Sequence, residues 1–553
     1  MVGRSILLRL SKPVRGLHEA AYVLAALTLA SQVLALLRDR IFAHEFGAGV
    51  LLDVYYAAFK IPDLVFALVA SLVSAYVLIP RIAGASKEEA RKLISETTSF
   101  LLLVGGILSV VLAVFAPIFL ALLFPTFMES VHADAFVSLT RLLLVQPILL
   151  GLSSIATSVT QVQRRFFLFA LSPVLYNLGI ILGAIFLYPH FGLVGIGIGV
   201  ASGAFLHLAI QIPTLAKASL FPKLLWPHMR SMWSVMKDSL PRSLALGVGS
   251  LATLFLTALA AKTGSGSVSV FALASNLGAV PLSLIGASYA TAAFPALAEH
   301  AGRKDENGFA AILSTAGRHL IFWSAVISVL TIVLRAHIVR VVLGSGAFDW
   351  DATRLTAAVL AILIISLIAQ GLVLLASRAF YAAHRSWNPF FIQCFGLFIS
   401  VTVGWGTLHF ANVIPTFRFF IEALLRVGDV PGTEVLFIAF GAMLGQLGMG
   451  ILALLTLKTV APGVAKGFMR PFFEGLGAAI VGGAAAYGTL FTLGNIASLS
   501  TLGAVFTEGL VAGIVGLAAS ALILVLLENR EFRDLYKSLL KIKTRMLPPQ
   551  SEF

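Results

Sequence analysis

Long apolar runs separated by short polar turns recur along the whole chain. Fourteen are read, at about residues 18–43, 50–80, 92–124, 135–163, 167–189, 192–217, 233–262, 267–299, 309–344, 350–384, 388–412, 433–458, 471–494 and 500–527. About 20 apolar residues suffice for a helix to cross the hydrocarbon core. The pattern therefore predicts an all-α polytopic membrane protein with fourteen transmembrane helices. Several runs are longer than a straight span needs, which predicts tilts and kinks. Pro62, Pro147, Pro241 and Pro281 stand inside runs and are the candidate kinks.

The loops between the runs alternate in charge. One set carries Arg4, Arg9, Lys12 and Arg15, then Arg81, Lys87 and Arg91, Arg164 and Arg165, Lys217 and Lys223, Arg303 and Lys304, Arg385, Lys458 and Lys466, and the tail from Arg530. The other set, such as TGSGS and TLGNIASLST, is almost bare of positive charge. Basic loops stay in the cytoplasm, so both termini are expected there. That requires an even number of spans. The basic start of the chain runs straight into a long apolar segment and reads as a first span rather than a cleaved signal.

Two connections are amphipathic. Residues 416–427 place Phe417, Phe420, Ile421, Leu424 and Leu425 on one helical face, with Arg418, Glu422 and Arg426 opposite. The tail places Phe532, Leu535, Leu539, Ile542 and Met546 on one stripe among lysines and arginines. Both suit a membrane surface, and an ordinary amphipathic connector is the alternative.

A faint repeat runs through the chain. FGAGVLLDVYYAAFKIP in the second segment echoes TGSGSVSVFALASNLGAVP in the eighth, and RRFFLFALSP echoes YAAHRSWNP at similar spacing. The expected organisation is two pseudo-symmetric six-helix lobes plus two C-terminal helices. A basic N-terminus covers 1–17, the N-lobe 18–230, and the C-lobe 231–460 with an outer loop at 412–432. The last two spans cover 461–528 and the basic tail 529–553. Repeats of this kind place a substrate site between lobes that rock against each other.

Composition narrows the class further. Of 553 residues 59% are hydrophobic and 12% charged, with a mean hydropathy of +0.97. A net charge of +14 could suggest nucleic acid, but the cations lie in loops with no aromatic-basic groove, so topology explains them. The single Cys394 leaves no internal disulfide and no cysteine metal cluster. No cofactor, metal or catalytic group is expected.

Candidate chemistry sits in the first hairpin, where Arg38, Asp39, Asp53, Lys60 and Asp63 interrupt apolar runs. A charge at membrane depth costs about 2.5–3.5 kcal/mol on insertion scales and usually faces a bundle interior or a wet cavity. Asp53, Tyr56 and Lys60 are spaced to share one helix face. The bland readings are an Arg38–Asp39 pair closing a helix end, and Asp53 complementing the dipole of its own helix.

The run SQVLALLRDRIFAHEFGAGVLLDVYYAAFKIPDL resembles the first hairpin of the MurJ/MviN family, flippases for the peptidoglycan precursor lipid II in the MOP exporter superfamily. SGSVSVFALASNLGAVPLSLIG is similar to that family's eighth helix, and LGSGAF and SRAFYAAHRSWNP to its ninth–tenth loop and tenth helix. The resemblance implies a two-lobe transporter, not an enzyme, whose cavity holds a polyprenyl-diphosphate-linked sugar. Membrane lipids and cell-wall synthesis proteins are the other implied partners, with no nucleic acid. Arg38, Asp39, Asp53 and Lys60 match the family pattern position by position. Gln32 stands where the family has Arg, Phe66 and Ala67 where it has an Arg pair, Ser71 where it has an acid, and Ser275 and Asn276 where it has Asp-Arg. Arg242 could restore one cation, and Lys237 and Arg378 could hold the head-group phosphate as it enters. The expected substrate-binding set is Arg38, Asp39, Asp53, Lys60, Arg242, Gln32 and Asn276.

Three other functions compete. A cation-coupled small-molecule exporter would want a mid-membrane carboxylate in the second lobe, where Asp349, Asp351 and Glu434 lie at helix ends. A membrane glycosyltransferase or ligase would want an acidic or His-bearing outer loop. A non-transporting scaffold would account for the missing arginines.

Overall fold

A computed structural model describes residues 17–69, 73, 75–226, 228–496 and 501–534. The basic start of the chain, Ser71, and the tail stripe from Leu535 onward lie outside the described residues. Among the described residues the regular structure is entirely helical. Eleven helices are long and apolar enough to span a membrane, and the pair Trp350–Ile364 and Leu367–Ala382, bent by 48°, makes a twelfth. These twelve coincide with twelve of the fourteen predicted segments, so the count of fourteen is met only that far. The first segment is the helix Leu17–Phe46, which carries Arg38, Asp39 and Arg40 within it. The second is broken into Val50–Ala58, Lys60–Leu68 and Ala75–Ala83.

The breaks have causes. Pro62 has no N–H to return to the Ala58 carbonyl, and the helix divides at Phe59. Pro147 sits in the first turn of Gln146–Val162, where a missing N–H costs nothing, and the preceding helix ends at Leu143. Pro281 closes one helix and leads into the π turn Leu282–Ala287. Pro241 lies inside Met229–Ala260, a single helix without a break.

The chain forms two compact units. The first comprises Met1–Leu273, Val342–Ala352 and Pro431–Ile438; the second comprises Ala274–Val341, Thr353–Val430 and Ala439–Phe553. The seventh helix, Met229–Ala260, thus packs with the first unit, so the boundary between compact units falls well after the repeat boundary expected near residue 230.

The fourth and tenth segments share a local geometry. The fourth segment breaks between Leu143 and Gln146 and the tenth between Ile364 and Leu367. Each is followed by a helix ending in a left-handed residue, Arg164 at φ 54° and His384 at φ 55°. Those residues open the two echoed motifs, RRFF and HRSW.

Within the first unit, glycines let two helices touch backbone to backbone. A Cβ on Gly179 would meet the Gly203 Cα at 2.5 Å, and one on Gly183 the Gly199 Cα at 2.6 Å. The fifth and sixth segments therefore pack through paired glycines, as small-residue stripes in membranes do. In the second unit Gly482 packs against the Gly516 carbonyl and Ser520 in the same way.

The amphipathic connector is the helix Pro415–Leu425. Glu422 is buried and Ile421 with it, and Arg418 Nε donates to Glu422 Oε1 at 2.7 Å. Phe419, Phe420 and Leu424 are the exposed side. An ion pair closed on itself can be buried, whereas aromatic side chains lose nothing by facing lipid.

Candidate functional site

Arg38 and Asp39 join Asn177 in a polar cluster inside the first unit. Arg38 Nη2 and Nε both donate to Asp39 Oδ1, at 2.7 and 3.0 Å. Arg38 Nη1 donates to Asn177 Oδ1 at 3.3 Å. Asn177 Nδ2 in turn donates to Ser31 Oγ at 3.3 Å and to the Pro173 carbonyl at 3.1 Å. The guanidinium is only 19% exposed and the carboxylate 4%. Neighbouring residues along a helix do not face each other, so this pair is closed by the length and fork of the Arg side chain. Asn177 then ties the first helix to the fifth segment.

Three phenols surround the pair. Tyr55, Tyr56 and Tyr176 all stand within electrostatic reach of Arg38. The Tyr56 hydroxyl is buried and has no hydrogen-bond partner among the described residues. Lys60 and Asp63, one turn apart, act on each other electrostatically, and Asp63 also acts on Tyr55 and Tyr176. Neither the Lys60 amine nor the Asp63 carboxylate makes an ion pair within 4 Å among the described residues. The result is a cationic and phenolic donor set with unspent hydrogen bonds, in an otherwise apolar bundle.

Asp53 does something different. Its Oδ2 accepts from the Gly266 N–H at 2.6 Å and its Oδ1 from the Ser269 N–H at 2.7 Å. The carboxylate is fully buried. It caps the N-terminus of the helix Ser267–Pro281 from outside, where orphan N–H groups and the positive end of the macrodipole favour an anion. Both its oxygens are engaged, so it points into a latch rather than a binding cavity. The helix break at Phe59 also separates it from Lys60, and the shared face expected for Asp53, Tyr56 and Lys60 is not continuous.

The latch is packed tightly by glycine. Gly266 takes φ +86° and its Cα hydrogen side abuts the Ala48 carbonyl; Gly47, at φ +60°, abuts the Ala347 carbonyl. The Ala347 N–H donates to the His44 carbonyl at 2.8 Å. A side chain at either glycine would collide with backbone in addition to being strained.

The remaining expected residues are dispersed. Gln32 is half-buried on the first helix, one residue from Ser31. Arg242 is half-buried in the first unit, and Asn276 half-buried in the second. Arg378 lies over the Phe294 ring, 5.6 Å from its centroid, and Lys237 is exposed. Sequence reasoning leaves Asn177, Tyr55 and Tyr176 out of the site and gives Asp63 no place in it. Asn177 in a long apolar run is the available signal. A cavity of about 280 Å³ in the same unit, lined by Ile61, Leu64, Leu68, Leu112, Phe119 and Leu254 among others, is wholly apolar and offers a head group nothing.

Comparison with known proteins places these features. The family model described as lipid II flippase MurJ matches residues 42–506. A lipid II flippase MurJ of Burkholderia cenocepacia is 26% identical over 390 residues, covering 68% of this chain and 75% of its own. A probable lipid II flippase MurJ of Thermotoga maritima is 26% identical over 375 residues, 66% of this chain and 74% of its own. Among solved structures, a lipid II flippase MurJ in an inward closed conformation superposes with a TM-score of 0.70 at 19% identity, covering 92% of this chain and all of that one. A MATE transporter of Vibrio cholerae gives 0.58 at 17% identity over 83% of this chain and 99% of its own. The fold is thus that of MurJ and the MATE transporters, and the chain belongs to the MurJ family.

Proposed function

We propose that this chain moves lipid II, a polyprenyl-diphosphate-linked sugar, from the inner to the outer leaflet of the bacterial cytoplasmic membrane by alternating access. It is a transporter with no covalent step, its termini lie in the cytoplasm, and cell-wall synthesis proteins take up what it delivers. The observation that carries the reading is the match to the family model over most of the chain, joined to a buried donor cluster suited to phosphate. A diphosphate in a low-dielectric cavity needs cations and neutral donors. Arg forks suit it best, and Lys60 and the Tyr56 hydroxyl add donors that no ion pair or hydrogen bond among the described residues consumes. Asp39 orients Arg38, and Gln32 and Arg242 in the same unit supply further polar groups. Asp53 serves as the latch that holds one end shut, since opening there must break two charge-assisted hydrogen bonds.

One observation favours a second reading. Gln32, Phe66, Ala67 and Asn276 replace cations of the family pattern, which suits a lipid-linked glycan whose head group asks for less positive charge. The test is replacement of a cell's essential lipid II flippase by this protein. Growth with the wild type and its loss with Lys60→Ala support lipid II transport through this cluster. No growth, with membrane expression verified, moves the substrate to another lipid-linked glycan.

A further inference from the structure

Three helices of the first unit leave a cavity where they meet, and two of them are interrupted there. The second segment parts at Phe59. The third carries the π turn Leu101–Gly105, stops at Val114, and restarts as Ala116–Leu123 with Pro117 in its first turn. The seventh, Met229–Ala260, lies against the helix Lys60–Leu68, so close that a Cβ on Gly247 would collide with the Leu68 side chain. The cavity between them measures about 280 Å³. Ile61, Leu64 and Leu68 form one wall, Leu112 and Phe119 a second, and Leu254 a third. Every side chain that lines it is apolar.

An apolar cavity of about 150 Å³ already stays dry and takes up benzene, because water finds no partners in it. Its lining lacks dispersion contacts until an apolar group supplies them. The fitting ligand here is an alkyl or isoprenoid chain, and the exposed Phe119 at the rim leaves a lateral way in. Position along the helix selects between chains. Lys60 begins the same helix; Ile61 follows it directly and Leu64 one turn later, about 6 Å along the axis. Lys60 also lies ten residues beyond Val50, about 15 Å of helix, where the hydrocarbon core is about 30 Å thick. The phosphate of a resting phospholipid stays in the head-group layer. An anion beside Lys60 is near mid-membrane, where a lipid in transit carries its head group.

We propose that this cavity holds the first isoprene units of a polyprenyl chain while the diphosphate at its end lies on Lys60. The inference rests on the transport reading and deepens it. Head group and chain are then recognised together, one helical turn apart, by a single short helix.

Full-length protein in detergent would be irradiated with a farnesyl diphosphate bearing a diazirine on its chain, and the labelled peptides mapped by mass spectrometry. Label should fall within residues 61–68 or 108–123, and undecaprenyl diphosphate should displace it while phosphatidylglycerol does not. Leu112→Trp fills the cavity. Excluding about two methylene-sized groups weakens binding about tenfold, so the affinity for undecaprenyl diphosphate, read by native mass spectrometry, should fall by that factor. Leu122→Trp, on an exposed position of the same segment, should leave it unchanged. Lys60→Ala should lower it as well. Loss with Lys60→Ala but not with Leu112→Trp overturns the cavity's role and leaves the transport reading standing. Loss with neither variant removes the donor cluster from the transport reading and overturns the inference with it. Displacement of the label by phosphatidylglycerol assigns the cavity to the surrounding membrane and overturns the inference. If Leu112→Trp does not fold, the wild-type map decides, and label outside both stretches overturns it equally.

Discussion

At the scale of single residues, the first hairpin separates two uses of a buried charge. Arg38 and Asp39 form a pair that another helix supports through Asn177. Removing one partner of a buried pair leaves the other uncompensated, at a cost of about 3–5 kcal/mol, whereas removing both is far milder. Arg38→Ala should therefore lower the melting temperature of the detergent-solubilised protein more than Arg38→Ala with Asp39→Ala does; equal or additive losses would show that the pair is not coupled. Asp53→Asn keeps the size of the latch but turns an amide N–H₂ against a backbone N–H. One bond is lost and a buried donor is stranded, about 1–3 kcal/mol. Cysteine labelling at Ser265 should then speed up in the variant, since the turn beside the latch opens more often; an unchanged rate would remove Asp53 from that role. The charged residues themselves are legible in the sequence, because charges in apolar runs are conspicuous. Their partners are not. Asn177 lies 139 positions from Arg38, and the donors to Asp53 are backbone N–H groups, which carry no residue signature at all.

Helices show the same division. Where hydrophobic periodicity and length decide, the sequence predicts the elements to within a few residues, as for 387–413 or 502–526. The second segment reads as one run because only Pro62 interrupts its middle, and a proline alone does not say whether a helix bends or parts; Pro80 and Pro241 both stay within unbroken helices. The amphipathic pattern of the connector at 416–427 is legible, whereas the Arg418–Glu422 bond that closes its polar side is not. Paired glycines set the closest helix contact in the first unit. Gly199→Leu should push the fifth and sixth segments apart, since the opposing atom is the Gly183 Cα and no side chain can give way. Overpacking costs typically about 1–3 kcal/mol, so the purified variant should melt several degrees lower. Gly477→Leu, where a Cβ meets nothing within 4 Å, should melt as the wild type does. At the start of the ninth segment, Asp305 accepts from the Gly308 N–H at 2.9 Å and from His300, and these bonds hold its carboxyl below the usual carboxylate range. A depressed acid stabilises above its unfolded value and loses that contribution as pH falls through the lowered one. Hydrogen-exchange protection of residues 308–310 should accordingly be constant near neutrality and fall only in acid, and Asp305→Ala should remove the dependence.

At the scale of the molecule, the fold is a series of apolar helices joined by short turns. Loop charge sets its orientation, because basic loops resist translocation while bare ones do not. The turn at Ser265 is exposed and nearly uncharged; Asn307, at the start of the helix Glu306–Val342, is exposed and follows the turn that holds Arg303 and Lys304. In a Cys394→Ser background, which removes the chain's only thiol, Ser265→Cys should react with a membrane-impermeant maleimide in intact cells. Asn307→Cys should react only once the membrane is permeabilised. The two positions report on consecutive turns either side of the span Ser267–Gly302, so an odd number of crossings must separate them and their labelling must differ. The reverse result would place the basic loops outside and the Arg38 cluster in the opposite half of the membrane, and a flippase running from inside to outside would then meet its latch before its binding site.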